Sequence, residues 1–265
     1  MAPNETVKDT FEALGEFFFP SECLLCRALA PGRTVPFCRD CESKLISDSH
    51  RCVHCATPLP DVLPNDDCIR CRGQGWKFAE VRTLGPYREE LRDVVIQMKR
   101  PHADVLRRAI ALLISEQLMD IKELESNAED KAESPIVVAV PNHWTHGFLG
   151  AADVAGDLAK HLALHSGWDY LPGIIRRIRR TGKQGMLAWS ERPKNVKDCF
   201  CIKAQSRIAD AHVLLVDDVL TSGATCAELS KLLARAGARR ITVCVAARGT
   251  GAKETSKPEK DVDQS

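Results

Sequence analysis

The stretch Val213-Leu-Leu-Val-Asp-Asp-Val-Leu-Thr-Ser-Gly-Ala-Thr225 decides the fold. Val213 to Val216 form an apolar, β-branched run too short for a helix, which reads as a buried strand. Two adjacent carboxylates, Asp217 and Asp218, close it, and a small hydroxyl-rich loop with one glycine follows. From Ala224 to Ala236 apolar residues recur at helical spacing, so the loop sits on a helix N-terminus. Free backbone N–H groups and the positive end of the helix dipole converge there and favour a phosphate. The acids one step upstream can accept hydrogen bonds from two vicinal hydroxyls, or hold a magnesium through water. A diol met by acids and a phosphate met by a loop describe a ribose 5-phosphate. An ordinary strand-turn-helix is the bland alternative, but it leaves two acids capping a buried strand with nothing to meet them, which is costly.

Working outward, short β-branched runs alternate with helical patterns. Strands are expected at Phe78 to Leu84, Ile136 to Val140, Ile174 to Arg177, Cys199 to Lys203 and Ile241 to Ala246, with a turn at Gly85-Pro86. Helices are expected at Arg88 to Lys99, Ala103 to Met119 and Leu149 to Leu164. Such alternation implies an α/β fold, a parallel sheet with helices on both faces. Ligands of such sheets bind beyond the strand C-terminal ends, where the loops at Pro141 and Asp217 would lie. Residues 120–134 read as a polar surface connection, and 249–265 as a disordered charged tail. A short amphipathic helix over 6–19 occupies the N-terminal segment, 1–20.

Eight of the 12 cysteines form four Cys-x-x-Cys pairs: Cys23/Cys26, Cys38/Cys41, Cys52/Cys55 and Cys68/Cys71. Two such knuckles about a dozen residues apart are what a tetrahedral four-thiolate zinc needs. Having the arrangement twice predicts two successive zinc ribbons over 21–75, each with one structural Zn²⁺; a cross-braced scheme is the alternative. The module has few large apolar residues, so metal would supply its stability. His50 and His54 lie beside the second ribbon as substitute ligands or, as expected, exposed solvated side chains. Cys199, Cys201, Cys226 and Cys244 sit in apolar runs and read as core thiols.

Lysine plus arginine number 37 and aspartate plus glutamate 36, so no global charge points to nucleic acid or membrane. No apolar run is long enough to span a bilayer and no export signal is seen, which makes the cytoplasm the expected compartment. The exception to the charge balance is local. Arg176, Arg177, Arg179, Arg180, Lys183, Arg192, Lys194 and Lys197 face a single acid, Glu191, with Trp189 among them. That segment could grip an anionic polymer or a pyrophosphate, or be a solvated basic loop.

The 213–225 segment resembles the phosphoribosyl pyrophosphate (PRPP) motif of the type I phosphoribosyltransferases, a hydrophobic strand, two acids and a Thr/Ser-rich loop. The resemblance implies that Asp217 and Asp218 face the ribose and act in catalysis. It also implies that Thr221, Ser222, Gly223, Ala224 and Thr225 wrap the 5′-phosphate, and that Mg²⁺ accompanies PRPP. With the four cysteine pairs, the whole resembles the ComF family, associated with DNA uptake in competent bacteria. Phe19-Pro20, the Tyr87 to Lys99 helix and the Arg180 to Val196 segment resemble further family landmarks. They add Lys99, Arg180 and Gln184 to the expected substrate-binding residues. The fold implied is a type I phosphoribosyltransferase-like domain over 76–248 preceded by the double zinc ribbon. One stretch departs: after Val140-Pro141, His146, Leu149 and Gly150 stand where the family carries Arg, Asn and Gln. Neutral histidines are poorer partners for pyrophosphate than arginine. Two readings stay open, PRPP-dependent transfer to an unidentified acceptor, and a non-catalytic factor that meets single-stranded DNA or a competence helicase.

Overall fold

The structure is a computed structural model that describes residues 22–30, 36–61, 68–119, 121, 134–142, 152–179 and 190–249. The expected N-terminal helix, most of the polar connection, the 143–150 loop, residues 180–189 and nearly all of the tail lie outside the described residues.

Five strands form a parallel sheet in the order β1-β7-β6-β2-β3: β1 Glu80–Pro86, β2 Ile136–Ala139, β3 Asp169–Tyr170, β6 His212–Leu220 and β7 Arg240–Arg248. The strands are apolar nearly throughout because both faces are covered. Leu214 and Val216 of β6, with Cys244 and Ala246 of β7, point into one core. There they meet α2 (Glu89–Met98), α3 (Asp104–Glu116) and α4 (Val154–Ser166). Val213, Leu215, Val243 and Val245 point the other way, to α6 (Ala224–Arg235). The period of two sorts neighbours onto opposite faces.

Three expectations need correction. Ile175–Arg177 (β4) and Phe200–Ile202 (β5) pair antiparallel with one another and lie outside the main sheet. Short apolar runs carry no signal of strand direction. Gly85-Pro86 is not a turn: both belong to β1, in register with Ala247 and Arg248. Proline is tolerated there because β1 is an edge strand and needs no donor on its free side. Gly85 is needed because a Cβ would lie 3.1 Å from Ser47 Cβ, where the cysteine module's backbone donates from Ser47 N to Leu84 O at 2.8 Å. The third correction is that the strand at 213–216 does not stop before the acids. β6 keeps its ladder with β7 as far as Leu220↔Arg248, so Asp217 and Asp218 lie inside it.

The cysteine module contains the helix α1 (Arg39–Leu45) and packs directly on the sheet's first strand and helix. Cys23, Phe37, Cys41 and Leu45 share a core with Leu84 and Leu91. Arg51 Nη1 donates to Thr83 O at 2.7 Å, and Val81 N to Val53 O at 3.1 Å. No described helix is long and apolar enough to cross a membrane.

Candidate functional site

Four elements converge at the C-terminal ends of β6 and β7. β2 pairs with β6 through Ala139↔Val216, and Val140 N donates to Val216 O at 2.9 Å, which brings Pro141 beside the acids. α2 buries Leu91, Val94, Val95 and Met98, an i, i+3, i+4, i+7 stripe, and so aims the residue after it, Lys99, at β6. Lys99 Nζ lies 2.8 Å from Asp218 Oδ2. Burial works against the lysine's charge, but Asp218, with Tyr87 and Asp217 behind it, outweighs it and holds the ammonium above its ordinary value. Burial, with the Asp218 charge beside it, pushes Asp217 well above the usual carboxylate range despite Lys99. Two acids sharing one lysine leave a site that gains from a further cation or from hydroxyl donors.

The loop after β6 turns at Gly223, whose φ of 77° is left-handed. Gly223 is the N-cap of the 12-residue α6 and, lacking a side chain, caps none of its N–H groups itself. The first-turn N–H groups therefore face the loop, the arrangement that binds phosphate. Ser222 Oγ accepts from Ala224 N at 3.4 Å, and Arg192 Nη1 donates to Thr221 Oγ1 at 3.3 Å from α5 (Arg192–Val196). The indole of Trp76 covers the turn: a Cβ on Gly223 would stand 3.1 Å from its Cζ2. Trp76 itself is stacked on Phe78 at 5.0 Å and His54 at 5.8 Å between ring centroids. His54 is therefore part of an aromatic stack, its Nδ1 3.0 Å from Ala79 O, and His50 Nδ1 lies 3.2 Å from Pro60 O. Neither histidine is needed as a metal ligand.

Three arginines stand at this site: Arg177 and Arg192, which belong to the basic segment singled out in the sequence, and Arg248, which the sequence did not single out. Arg192 reaches the loop as described. Arg177 lies over the Phe200 ring at 4.6 Å; burial lowers its pKa, with Cys199 and Asp217 acting the other way. Arg248, the last residue of β7, is 2 % exposed and reaches both the loop and the cysteine module. Its Nη1 donates to Leu220 O at 2.7 Å and also to Thr221 O and Gly249 O. On its other side Nε donates to Cys55 O at 2.7 Å, and Nη2 lies 3.4 Å from Thr57 Oγ1. Burial disfavours its charge, while Cys55 and Cys68 favour it. Of the sequence-expected residues, Lys99, Asp217, Asp218 and 221–225 are brought together here, and Arg180 and Gln184 fall outside the described residues. Beside the loop, a cavity of about 530 Å³ runs between Trp76, Ser222, Lys194, Lys197 and Lys231.

The eight module cysteines gather as two separate groups, Cys23/26/38/41 and Cys52/55/68/71, each with all its sulfurs within 4.8 Å of one another. The cross-braced alternative is thereby excluded. Cys26–Cys38, Cys55–Cys68 and Cys52–Cys71 sulfurs stand 3.6, 3.6 and 3.7 Å apart. Thiolates at the usual Zn–S distance around a tetrahedral centre lie about 3.8 Å apart, so both groups fit zinc. Burial opposes the Cys23 thiolate, yet the amides of Cys26, Cys38 and Leu25 bring its pKa down to about 6, as a knuckle does.

A parallel sheet whose central strand carries two acids near its C-terminal end, followed by a glycine turn into a helix, defines a phosphoribosyltransferase-type domain. Residues 114–265 match the phosphoribosyl transferase domain family and residues 14–72 the double zinc ribbon domain. The chain belongs to the phosphoribosyltransferase family, and within it to the ComF-type proteins that carry an N-terminal double zinc ribbon. It is 29% identical over 229 residues to the DNA utilization protein YhgH of Salmonella typhimurium, covering 84% of this chain and 95% of that protein. With competence protein F of Haemophilus influenzae it is 26% identical over 227 residues, 85% of this chain and 96% of the other. A uracil phosphoribosyltransferase of Bacillus pumilus matches 137 residues at 27% identity, 51% of this chain and 61% of that enzyme.

Proposed function

We propose that this chain binds PRPP with Mg²⁺ through its 217–225 segment. The observation that carries the reading is the joint placement of a helix N-terminus that opens on Gly223 and a carboxylate pair near the end of the preceding strand. Thr221, Ser222, Gly223, Ala224 and Thr225 hold the 5′-phosphate by backbone N–H groups and hydroxyls. Asp217 and Asp218 accept from the ribose hydroxyls. The same carboxylate oxygens suit Mg²⁺, a hard cation that takes oxygen ligands and keeps part of its water. The raised pKa of Asp217 supports this, because a carboxyl held up by burial and a like charge gains most when hydroxyl donors or a cation arrive. Lys99, already 2.8 Å from Asp218, neutralises one acid and directs its half-exposed ammonium toward the pyrophosphate side. In the transfer reaction the carboxylates stabilise positive charge at the anomeric carbon as pyrophosphate leaves and a nitrogen nucleophile of unassigned identity adds. Calorimetry with Mg²⁺ is expected to show PRPP binding that Asp217→Ala and Asp218→Ala abolish; absence of binding by the natural protein would overturn the reading.

A second reading, a factor that holds single-stranded DNA without turnover, is favoured by the cationic wall of the cavity beside the loop. Lys194, Lys197, Lys231 and Arg235 line it against Asp198 and Glu228. Trp76 supplies no base-stacking platform, since Gly223 meets its indole on one side and Phe78 and His54 stack with it. Binding would therefore rest on phosphates and weaken steeply with salt. Lys194→Glu with Lys197→Glu is expected to remove a salt-dependent shift of single-stranded DNA, and an unchanged shift would exclude this surface. Pyrophosphate release from PRPP, screened across acceptors, separates the two readings. Domain limits of 76–248 for the transferase-like unit and a cytoplasmic setting complete the proposal.

A further inference from the structure

The buried guanidinium of Arg248 hydrogen-bonds both the segment of the second cysteine cluster and the loop after β6. Three carbonyls of the loop region, Leu220 O, Thr221 O and Gly249 O, accept from one nitrogen. The backbone carbonyl of Cys55, whose own sulfur is one of the four in the second cluster, accepts from another at 2.7 Å. Thr57 completes the link: its hydroxyl lies 3.2 Å from Cys55 Sγ and 3.4 Å from Arg248 Nη2. All of these partners are uncharged oxygens. A buried cation so placed needs an anionic neighbour. Four thiolates around a divalent metal carry a net negative charge, and the second cluster stands next to the guanidinium in just this position.

We propose that Arg248 is a positioning residue through which metal in the Cys52/55/68/71 cluster sets the geometry of the phosphate loop. The proposal rests on the reading of that loop as the 5′-phosphate site. With the cluster loaded, Cys55 O is fixed, Arg248 is fixed by it, and the guanidinium holds Leu220 and Thr221 carbonyls so that the turn at Gly223 presents its N–H groups. With the cluster empty, the knuckle loosens, the charge of Arg248 loses its counterpart, and the loop carbonyls lose their shared donor. Residues of the first cluster make no described hydrogen bond to the loop, so the link belongs to the second cluster alone.

The test follows hydrogen exchange of the 219–226 amides in the full chain, with zinc content measured on each sample. Cys71→Ser, which costs the second cluster a ligand, is compared with Cys26→Ser, which costs the first one. Loop exchange is expected to rise about tenfold with Cys71→Ser and to stay near that of the natural protein with Cys26→Ser. Arg248→Met should raise it similarly while two zinc ions remain bound, and Arg248→Lys, which retains a donor, should recover part of the protection. Affinity for ribose 5-phosphate, followed by calorimetry, should fall about tenfold in Cys71→Ser and Arg248→Met. Adding Cys71→Ser to Arg248→Met should cost little more, because both act on one connection. Equal exchange in the Cys71→Ser and Cys26→Ser proteins overturns the proposal, as does unchanged loop exchange in Arg248→Met. If the exchange pattern holds but no variant, nor the natural protein, binds ribose 5-phosphate, the phosphate-site reading fails and the coupling stands. If Arg248→Met does not fold, Arg248→Lys and the two cysteine variants still decide.

Discussion

Gly223→Ala perturbs the loop at the point where backbone and cysteine module meet, and its cost can be worked from two separate facts. The backbone there has φ 77°, a left-handed conformation that costs a residue with a Cβ about 1–2 kcal/mol. The new methyl would also stand 3.1, 3.5 and 3.6 Å from Trp76 Cζ2, Cε2 and Cη2. The indole cannot slide away freely, since it is stacked with Phe78 and His54. Crowding of this kind costs a further 1–3 kcal/mol or so. Gly223→Ala should therefore lose about 2–5 kcal/mol in urea unfolding followed by far-UV circular dichroism with zinc present. Trp76→Leu removes the crowding but not the backbone cost. In that background the same change should lose only about 1–2 kcal/mol, a coupling on the order of 1–3 kcal/mol between residues 147 positions apart. Equal losses in the two backgrounds would refute the packing argument, and no loss in either would refute the argument from φ as well. The functional counterpart is a PRPP affinity reduced about tenfold or more in Gly223→Ala, because the helix N–H groups are displaced with the turn.

Three further outcomes follow from the remainder of the chain. His212 is buried at the N-terminal edge of β6 with Nε2 3.0 Å from Thr242 Oγ1; burial first, then Arg240, brings its pKa down to about 4. Since the unfolded chain takes up the proton near 6.5 and the folded one only near 4, stability should be full above the upper value and fall by about 3 kcal/mol across that window. Subtracting the His212→Asn profile isolates this contribution, and parallel pH profiles for the two proteins would contradict it. Glu80, its side chain 6% exposed, meets Arg82 at 2.9 Å and Arg240 at 2.8 Å. Burial raises its pKa, but the two arginines prevail and hold it low, so its contribution is present above the ordinary carboxylate range and lost as pH falls through the folded value. Glu80→Ala should cost about 1–3 kcal/mol at pH 7 by thermal or urea unfolding, more than an exposed ion pair would. Finally, atomic absorption should find two zinc ions per chain and one in Cys52→Ser, with chelation abolishing cooperative unfolding of the module.

What could be read from the chain alone was whatever is encoded locally. The 213–225 run holds its whole message in thirteen adjacent residues, strand, acids, loop and helix, and the structure arranges them as that order implies. The Cys-x-x-Cys knuckles are equally local, and of the two pairings their spacing left open the structure shows the successive one. The errors concern information that lies between segments. Nothing inside Ile175–Arg177 or Phe200–Ile202 says that they pair with each other, and a two-residue strand such as Asp169–Tyr170 is too short to show a period. The same limit hid two residues central to the site. Trp76, the first residue after the expected cysteine module, drew no assignment, yet its indole covers a turn at Gly223. Arg248, the last residue before the expected charged tail, drew no assignment either, since an arginine carries no local sign of burial. Its meaning appears only when β7 is extended two residues past the apolar run, in register with Leu220 and Pro86. That extension places a cation between a loop and a metal cluster which the sequence treats as separate modules. The module boundary is therefore where sequence reasoning is weakest in this chain, and it is also where the loop between β6 and α6 obtains its support.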